Sequence, residues 1–143
     1  MTVRFFCDEV SFILKKKRKI KSWLKEVASE ENKIIGYLNY IFVSEKKIRE
    51  LNKTYLNHDY CTDIITFDYS TDERISGEMY ISIDTVKENA IFYHTDFKDE
   101  LLRVILHGAL HLLGYKDNTD DERQRIRKIE DKYIVRFNIG FST

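Results

Sequence analysis

Two histidines and an aspartate near position 110 have the spacing of ligands for one metal ion. His107 and His111 are four residues apart, so their side chains lie on one face of a helix, one turn from each other. Gly114 tolerates the left-handed backbone that ends a helix, and the chain can then fold back to bring Asp117 to the same ion. Three protein ligands with a fourth position open are typical of catalytic zinc. The sequence therefore predicts one zinc ion per chain on His107, His111 and Asp117.

The residue after the first histidine differs from the motif of the zinc proteases. That motif is H-E-x-x-H, in which the glutamate is the general base. Here the same position is Gly108, which cannot accept a proton from water. We expect Gly108 to leave the helix surface open beside the metal. A metal-dependent hydrolase that acts on another substrate stays an open alternative, and peptides are its least favoured substrate.

The composition is that of one globular domain spanning residues 1–143. Hydrophobic residues make up 43% and charged residues 34% of the chain, which is long enough to bury a core. No apolar run reaches the length of a membrane span, and no N-terminal signal segment is recognisable. We therefore expect a cytoplasmic protein without a membrane partner. Cys7 and Cys61 are expected to be free thiols, with metal ligation by Cys61 as the alternative.

Acidic and basic residues balance, at 24 of each, so the net charge is zero. A protein that binds nucleic acid through its overall charge is usually basic. Any contact with RNA must therefore use a local patch. The most basic run is Lys15–Lys19, followed by Lys21, and it is either a phosphate-binding patch or a solvated helix end.

Residue periodicity places the two histidines on the central helix of one domain, of α+β or mixed α/β class, with α+β favoured. The order of elements predicts a partly parallel sheet of about four strands, packed with about five helices. The strand at Thr62–Tyr69 is rich in β-branched residues and is expected to be buried on both faces. The predicted strands are Thr2–Cys7, Gly36–Val43, Thr62–Tyr69 and, hairpin-paired with the last, Gly77–Ile83. The predicted helices are Leu14–Ala28, Glu45–Leu56 capped by Ser44, a helix capped by Asp84 and ending near Tyr93, Phe97–Leu113 started by Asp96, and a last helix from the capping box of Thr119 and Glu122 to Phe137.

Three separated segments of the chain form a combined pattern. They are LNKTY followed by TDIITF in residues 51–67, GEMYIS in residues 77–82, and HGALHLLGY in residues 107–115. They resemble the L-N-x-x-Y…T-D-V-L-S-F, G-D-I-x-I-S and H-G-x-L-H-L-x-G-Y segments of the YbeY family of bacterial ribosomal RNA maturation factors. The resemblance spans about residues 48 to 125.

The resemblance implies an α+β metalloprotein that is a zinc-dependent, single-strand-specific endoribonuclease. It implies a role in maturation of the 3′ end of the small-subunit (16S) ribosomal RNA and in ribosome quality control. The implied partners are single-stranded ribosomal RNA, the small ribosomal subunit and a ribosomal protein or assembly GTPase. It places the metal ligands on His107, His111 and Asp117. The alternative is a non-catalytic, zinc-containing ribosome assembly factor.

The chain departs from the family pattern at three positions. The third ligand of the family is usually histidine, whereas Asp117 adds a negative charge that weakens zinc as a Lewis acid. Leu56 stands where the family often has an arginine that could hold a phosphate. Glu78 replaces an aspartate, a change without a clear consequence.

The general base is not identifiable from the sequence. His58, in the polar loop before Thr62, and Asp117, if it is not a ligand, are the candidates. Lys116 could steer a phosphate toward the metal. The plainer alternatives are an ordinary loop histidine and a solvated lysine. Asp63 is expected to be a strand-start residue that hydrogen-bonds backbone, and Tyr115 is expected to pack behind the turn rather than stack on a base.

Overall fold

A computed structural model of the protein describes residues 1–56 and 62–139. In that part of the chain four strands and five helices form one α+β domain, as predicted. They are β1 (Thr2–Cys7), α1 (Lys17–Glu30), β2 (Ile34–Val43), α2 (Glu45–Leu56), β3 (Ile64–Asp68), β4 (Arg74–Ser82), α3 (Ile83–Phe92), α4 (Phe97–Leu112) and α5 (Asp120–Asn138).

The four strands form a single mixed sheet in the order β1-β2-β4-β3. β1 pairs with β2 and β2 with β4 in parallel, while β3 and β4 form the predicted antiparallel hairpin. The prediction that β3 is buried on both faces is wrong. β3 is an edge strand, and only Ile65 among its five residues is buried. Its β-branched residues suit a half-buried edge as well as a central strand.

Helix α4 is the central helix, because it packs on β3 and β4 and also contacts α3 and α5. Ten of its sixteen residues are buried, as the breadth of its apolar face predicts. Gly108 is part of this packing. A Cβ atom at Gly108 would lie 2.8 Å from Cγ of Met79 and 3.0 Å from Cδ1 of Ile64. The expectation that Gly108 leaves open space beside the metal is therefore wrong, because Gly108 faces the sheet and allows close approach.

Helix caps follow the sequence with one exception. Ser44 caps α2 by accepting a hydrogen bond from Lys47 N at 3.1 Å, and Thr119 and Glu122 form the predicted capping box of α5. α3 is capped by Ser82, whose Oγ accepts from Thr85 N at 3.2 Å. Asp84, the predicted cap, lies in the first turn instead, where its charge favours the helix dipole.

The remaining boundaries differ by a few residues. α1 starts at Lys17 rather than Leu14, because Lys16 adopts a left-handed backbone with φ of 59°. Asp96 stands at the N-cap of α4 without a side-chain hydrogen bond to the helix. Within residues 1–56 and 62–139, no helix combines the length and apolar character needed to cross a membrane.

Candidate functional site

The turn after α4 brings the segment following the two histidines back toward the helix. Gly114 has the predicted left-handed backbone, with φ of 101°. Its N–H donates to His111 O at 3.0 Å, and Tyr115 N donates to Leu110 O at 3.1 Å, which satisfies carbonyl groups at the helix end. The chain then reverses, and Asp117 lies beside the preceding turn of α4.

His107 and Asp117 are in direct contact. Nε2 of His107 lies 3.2 Å from Oδ2 of Asp117, with both side chains partly exposed. His111 lies one turn further along α4, and it is exposed to solvent. In the described part of the chain, no three His, Cys, Asp or Glu side chains are gathered as a metal site would gather them. The structure thus brings two of the three predicted ligands together.

Glu130 holds the other side of the His107 ring. Its Oε2 lies 2.7 Å from Nδ1 of His107, and its Oε1 accepts a hydrogen bond from Arg103 at 3.0 Å. Glu130 is only 3% exposed, and these two partners compensate its burial. The role of Glu130 was not predicted from the sequence. The available signal was its position on the inward stripe of α5, four residues after Ile126 and three before Tyr133.

Asp63 faces the same group. It lies just before β3, and its backbone carbonyl accepts a hydrogen bond from Ser82 N at 3.0 Å, so the expected role at the strand start is confirmed. Burial raises the pKa of the Asp63 carboxyl, while His107 and nearby backbone N–H groups oppose that rise. Asp63 is therefore electrostatically coupled to His107, which sequence analysis did not foresee.

Burial and the neighbouring charges shift the pKa of His107 in opposite directions. Burial lowers the pKa of its imidazole, but the hydrogen bond with Glu130 and the negative charges of Glu130, Asp117 and Asp63 outweigh burial. The net result is a pKa raised above the usual 6.5. The surroundings of His107 therefore favour a positive charge at this position.

The side chains just described line a cleft of about 280 Å³ between α3, α4, α5 and the residue before β3. They are those of Asp63, His107, Asp117 and Glu130. The cleft contains four carboxylates, which are those of Asp63, Glu100, Asp117 and Glu130. It also contains three arginines, Arg103, Arg123 and Arg127. Such a mixture suits a cation at the carboxylates and an anion at the arginines.

The three arginines are used differently. Arg103 binds Glu130 and Asp131. Arg123 donates to the Asp117 carbonyl and forms an ion pair with the exposed Asp120. Arg127 is exposed and has no ion-pair partner among the described residues. It is therefore the arginine of this cleft whose charge is available to a ligand.

Lys116 lies at a different cleft from His107. It lines a neighbouring cleft with Tyr115, Arg125 and Glu31, and it does not line the cleft of His107. Tyr115 packs against the core and its hydroxyl donates to Glu31, so the expected packing role is confirmed.

Other candidates are separated from the cleft or fall outside the described residues. The run Lys15–Lys19 does not line the cleft, and Nζ of Lys19 lies 4.4 Å from the centre of the Phe137 ring. Leu56 is the partly exposed last residue of α2. Cys7 is the predicted free thiol. His58 and Cys61 lie outside the described residues.

Comparison with known proteins shows which family the chain belongs to. The family model described as Endoribonuclease YbeY matches residues 8–138. The chain belongs to the YbeY family. Proteins named Endoribonuclease YbeY include relatives from Parabacteroides distasonis, 43% identical over 94% of this chain and 95% of that protein, and from Cytophaga hutchinsonii, 46% identical over 91% and 92%. The relative from Bacteroides fragilis is 48% identical over 84% of this chain and 86% of its own length.

A solved structure agrees with the fold. The solution structure of TM1509 from Thermotoga maritima matches with a TM-score of 0.66 and 30% identity, covering 99% of this chain and 96% of that one. The resemblance to the YbeY family inferred from three short segments is thus confirmed over nearly the whole chain. The matched region includes every described residue of the His107 cleft.

Proposed function

We propose that this protein is a zinc-dependent endoribonuclease that cleaves single-stranded RNA. The observation that carries the proposal is the convergence of His107 and Asp117 in a cleft of mixed charge in a YbeY-family chain. We further propose that its substrate is the 3′ end of precursor 16S ribosomal RNA and that it works with the small ribosomal subunit in the cytoplasm. Membership of a family whose members are named endoribonucleases supports RNA as the substrate class.

The separation of the two converging atoms fits zinc. Two ligand atoms on one tetrahedral zinc, each about 2.1 Å from the metal, lie about 3.4 Å apart. The 3.2 Å between Nε2 of His107 and Oδ2 of Asp117 is close to that value. His111, on the same helix face and exposed, is the third ligand that we propose.

Glu130 and Arg103 position the first ligand. Glu130 lies within hydrogen-bond distance of Nδ1 of His107, which would keep a proton on Nδ1 and leave Nε2 free to bind the metal. Arg103 in turn holds Glu130. A carboxylate that hydrogen-bonds a ligating histidine is the common second partner of zinc sites and raises the basicity of the ligand.

The proposed reaction is hydrolysis of an RNA phosphodiester bond. When bound, zinc supplies Lewis acidity toward a phosphoryl oxygen and toward water. Arg127, which lines the cleft, holds the phosphate. Leu56 stands where the family often has an arginine, and its uncharged side chain cannot bind a phosphate in this way. Asp63 is the carboxylate that we propose as proton acceptor, because its raised pKa makes it a stronger base than an exposed aspartate.

The test is cleavage of a short single-stranded RNA that matches a precursor 3′ tail. Zinc-loaded protein, chelated protein and His111→Ala are purified identically and compared, with zinc content measured for each. Cleavage only by the zinc-loaded wild type supports the proposal. Equal cleavage by all three preparations would indicate a contaminating nuclease and leave the proposal without support.

The same experiment separates the alternative of a non-catalytic assembly factor. That alternative predicts one zinc per chain and no cleavage by any preparation. It also predicts that folded His111→Ala still rescues ribosome assembly in cells that lack the protein. A nuclease predicts that this variant fails to rescue.

A further inference from the structure

Two aromatic side chains at the end of α3 are exposed next to the cleft. Phe92 is 75% exposed and Tyr93 is 53% exposed. The inward residues of this helix are others, namely Ile83, Val86 and Ala90, so neither ring belongs to the core. Adjacent exposed rings form an apolar patch of the kind that marks a binding surface.

The two rings support each other. Their centres lie 5.0 Å apart and their planes cross at 88°, an edge-to-face arrangement that is favourable for aromatic pairs. Tyr93 N donates to Asn89 O at 2.9 Å, which ties the Tyr93 backbone to the last turn of α3. The backbone that carries the two rings is therefore part of the helix end.

Tyr93 also lines the cleft of His107 and Asp117, with Arg127 and Arg123 among the other lining residues. An exposed ring beside exposed positive charge is the combination that binds single-stranded nucleic acid, since bases stack on aromatic rings and arginines contact the backbone phosphates. A folded double strand does not offer free base faces for such stacking.

We propose that Tyr93, supported by Phe92, is a stacking platform for one unpaired base next to the phosphate bound in the cleft. This inference rests on the proposed function, since it assigns how the same RNA is held. The platform would give the site its preference for single strands. Tyr93 is a binding residue in this proposal and takes no part in the chemistry.

The test uses a single-stranded RNA of about 12 nucleotides, within the span that one small domain covers. It carries 2-aminopurine, whose fluorescence falls when the base stacks. The backbone of this RNA is phosphorothioate, which resists hydrolysis, and a gel after each titration checks that it is intact. Zinc-loaded wild type, Tyr93→Ala, Phe92→Ala and Tyr93→Phe are titrated. Tyr69→Ala is the matched control, because Tyr69 is 52% exposed and does not line the cleft of His107.

Stacking on an aromatic ring contributes about 1–3 kcal/mol per base, which is about fivefold to 150-fold in affinity. Tyr93→Ala should therefore bind about tenfold more weakly and lose the fluorescence change at one labelled position. Tyr93→Phe and Tyr69→Ala should match the wild type, and Phe92→Ala should be intermediate. If Tyr93→Ala shows the same fluorescence change as the wild type at every labelled position, the proposal is overturned, whether or not affinity falls.

The outcome for the platform is distinguishable from that for the proposed function. If the wild type cleaves RNA and Tyr93→Ala binds and cleaves equally well, the platform is wrong and the nuclease stands. If the wild type neither binds nor cleaves the RNA, the proposed function itself fails, and the platform fails with it.

Discussion

Nδ1 of His107 lies 2.7 Å from Oε2 of Glu130, and the glutamate is almost fully buried. The charged form of His107 is therefore stabilised in the folded, metal-free protein, and its pKa is raised above 6.5 despite burial. Because the folded-state pKa exceeds the unfolded one, this stabilisation is complete below pH 6.5 and is lost as the pH rises through the folded-state value.

Metal-free wild type should therefore lose stability as the pH rises above about 6.5, as measured by urea unfolding across pH 5.5 to 8.5. Glu130→Gln removes the charge that holds the imidazolium and should reduce both the stability at low pH, by about 2 kcal/mol, and its pH dependence. His111→Gln is the matched control, because His111 is an exposed histidine of the same helix. A pH dependence identical in Glu130→Gln and wild type would contradict this prediction.

Asp117→His should make the proposed reaction run at lower pH. A neutral imidazole in place of the carboxylate leaves more positive charge on the metal, which makes bound water more acidic. The acid limb of the rate profile should move to lower pH, with zinc retained. Asp121→His, an exposed change at the start of α5, is the control and should leave the profile unchanged. Movement of the limb to higher pH would exclude Asp117 as a ligand that tunes the metal.

Arg127→Ala should weaken binding of single-stranded RNA and lower its dependence on salt. One lost phosphate contact reduces the slope of log affinity against log salt by about 0.7. Arg125→Ala is the matched control, because Arg125 is on the same helix but lies near Tyr115 in the neighbouring cleft. Equal slopes for the two variants would remove Arg127 from the RNA site.

The same titration decides the role of Lys116. If this lysine steers phosphates from the neighbouring cleft, Lys116→Ala should lower both the affinity and the salt slope. A binding curve that superimposes on that of the wild type at every salt concentration would remove Lys116 from the site.

Gly108→Ala should destabilise the protein by about 1–3 kcal/mol, because the new methyl group would press on Met79 where α4 meets the sheet. Urea unfolding of Gly108→Ala, Met79→Ala and the double variant measures the coupling between the two positions. The double variant should be more stable than the sum of the single changes predicts. If the losses of unfolding free energy in the two single variants add up to that of the double variant, Gly108→Ala does not overpack against Met79.

The elements that sequence predicted well are those determined by neighbouring residues. The capping box at Thr119, the left-handed turn at Gly114 and the apolar face of α4 each depend on residues within a few turns of one another. The family was also predicted correctly, because each of the three segments that resemble it is short and contiguous in the sequence. The misplaced cap of α3 shows the limit of this reasoning, because Ser82 and Asp84 are both good caps and the end of β4 selects the former.

What sequence missed depends on contacts between distant segments. The position of β3 at the edge follows from the strand order, which no local pattern contains. Glu130 reaches His107 only because α5 packs on α4, and Asp63 joins them only because β3 pairs with β4. The position of Glu130 on the apolar stripe of α5 indicated that its charge has a partner inside the protein. Which residues are the partners could be seen only in the folded structure.

His107, Glu130 and Asp63 come from three separate stretches of chain that meet around α4. His107 is carried by α4 itself, Glu130 by α5, and Asp63 by the start of the hairpin. A chain emerging from the ribosome has Asp63 long before it has Glu130, so a nascent or partly unfolded copy holds these groups far apart. If this cleft is the nuclease site that we propose, completion of the fold is a safeguard, because a copy that has not finished folding has no assembled site with which to cut RNA.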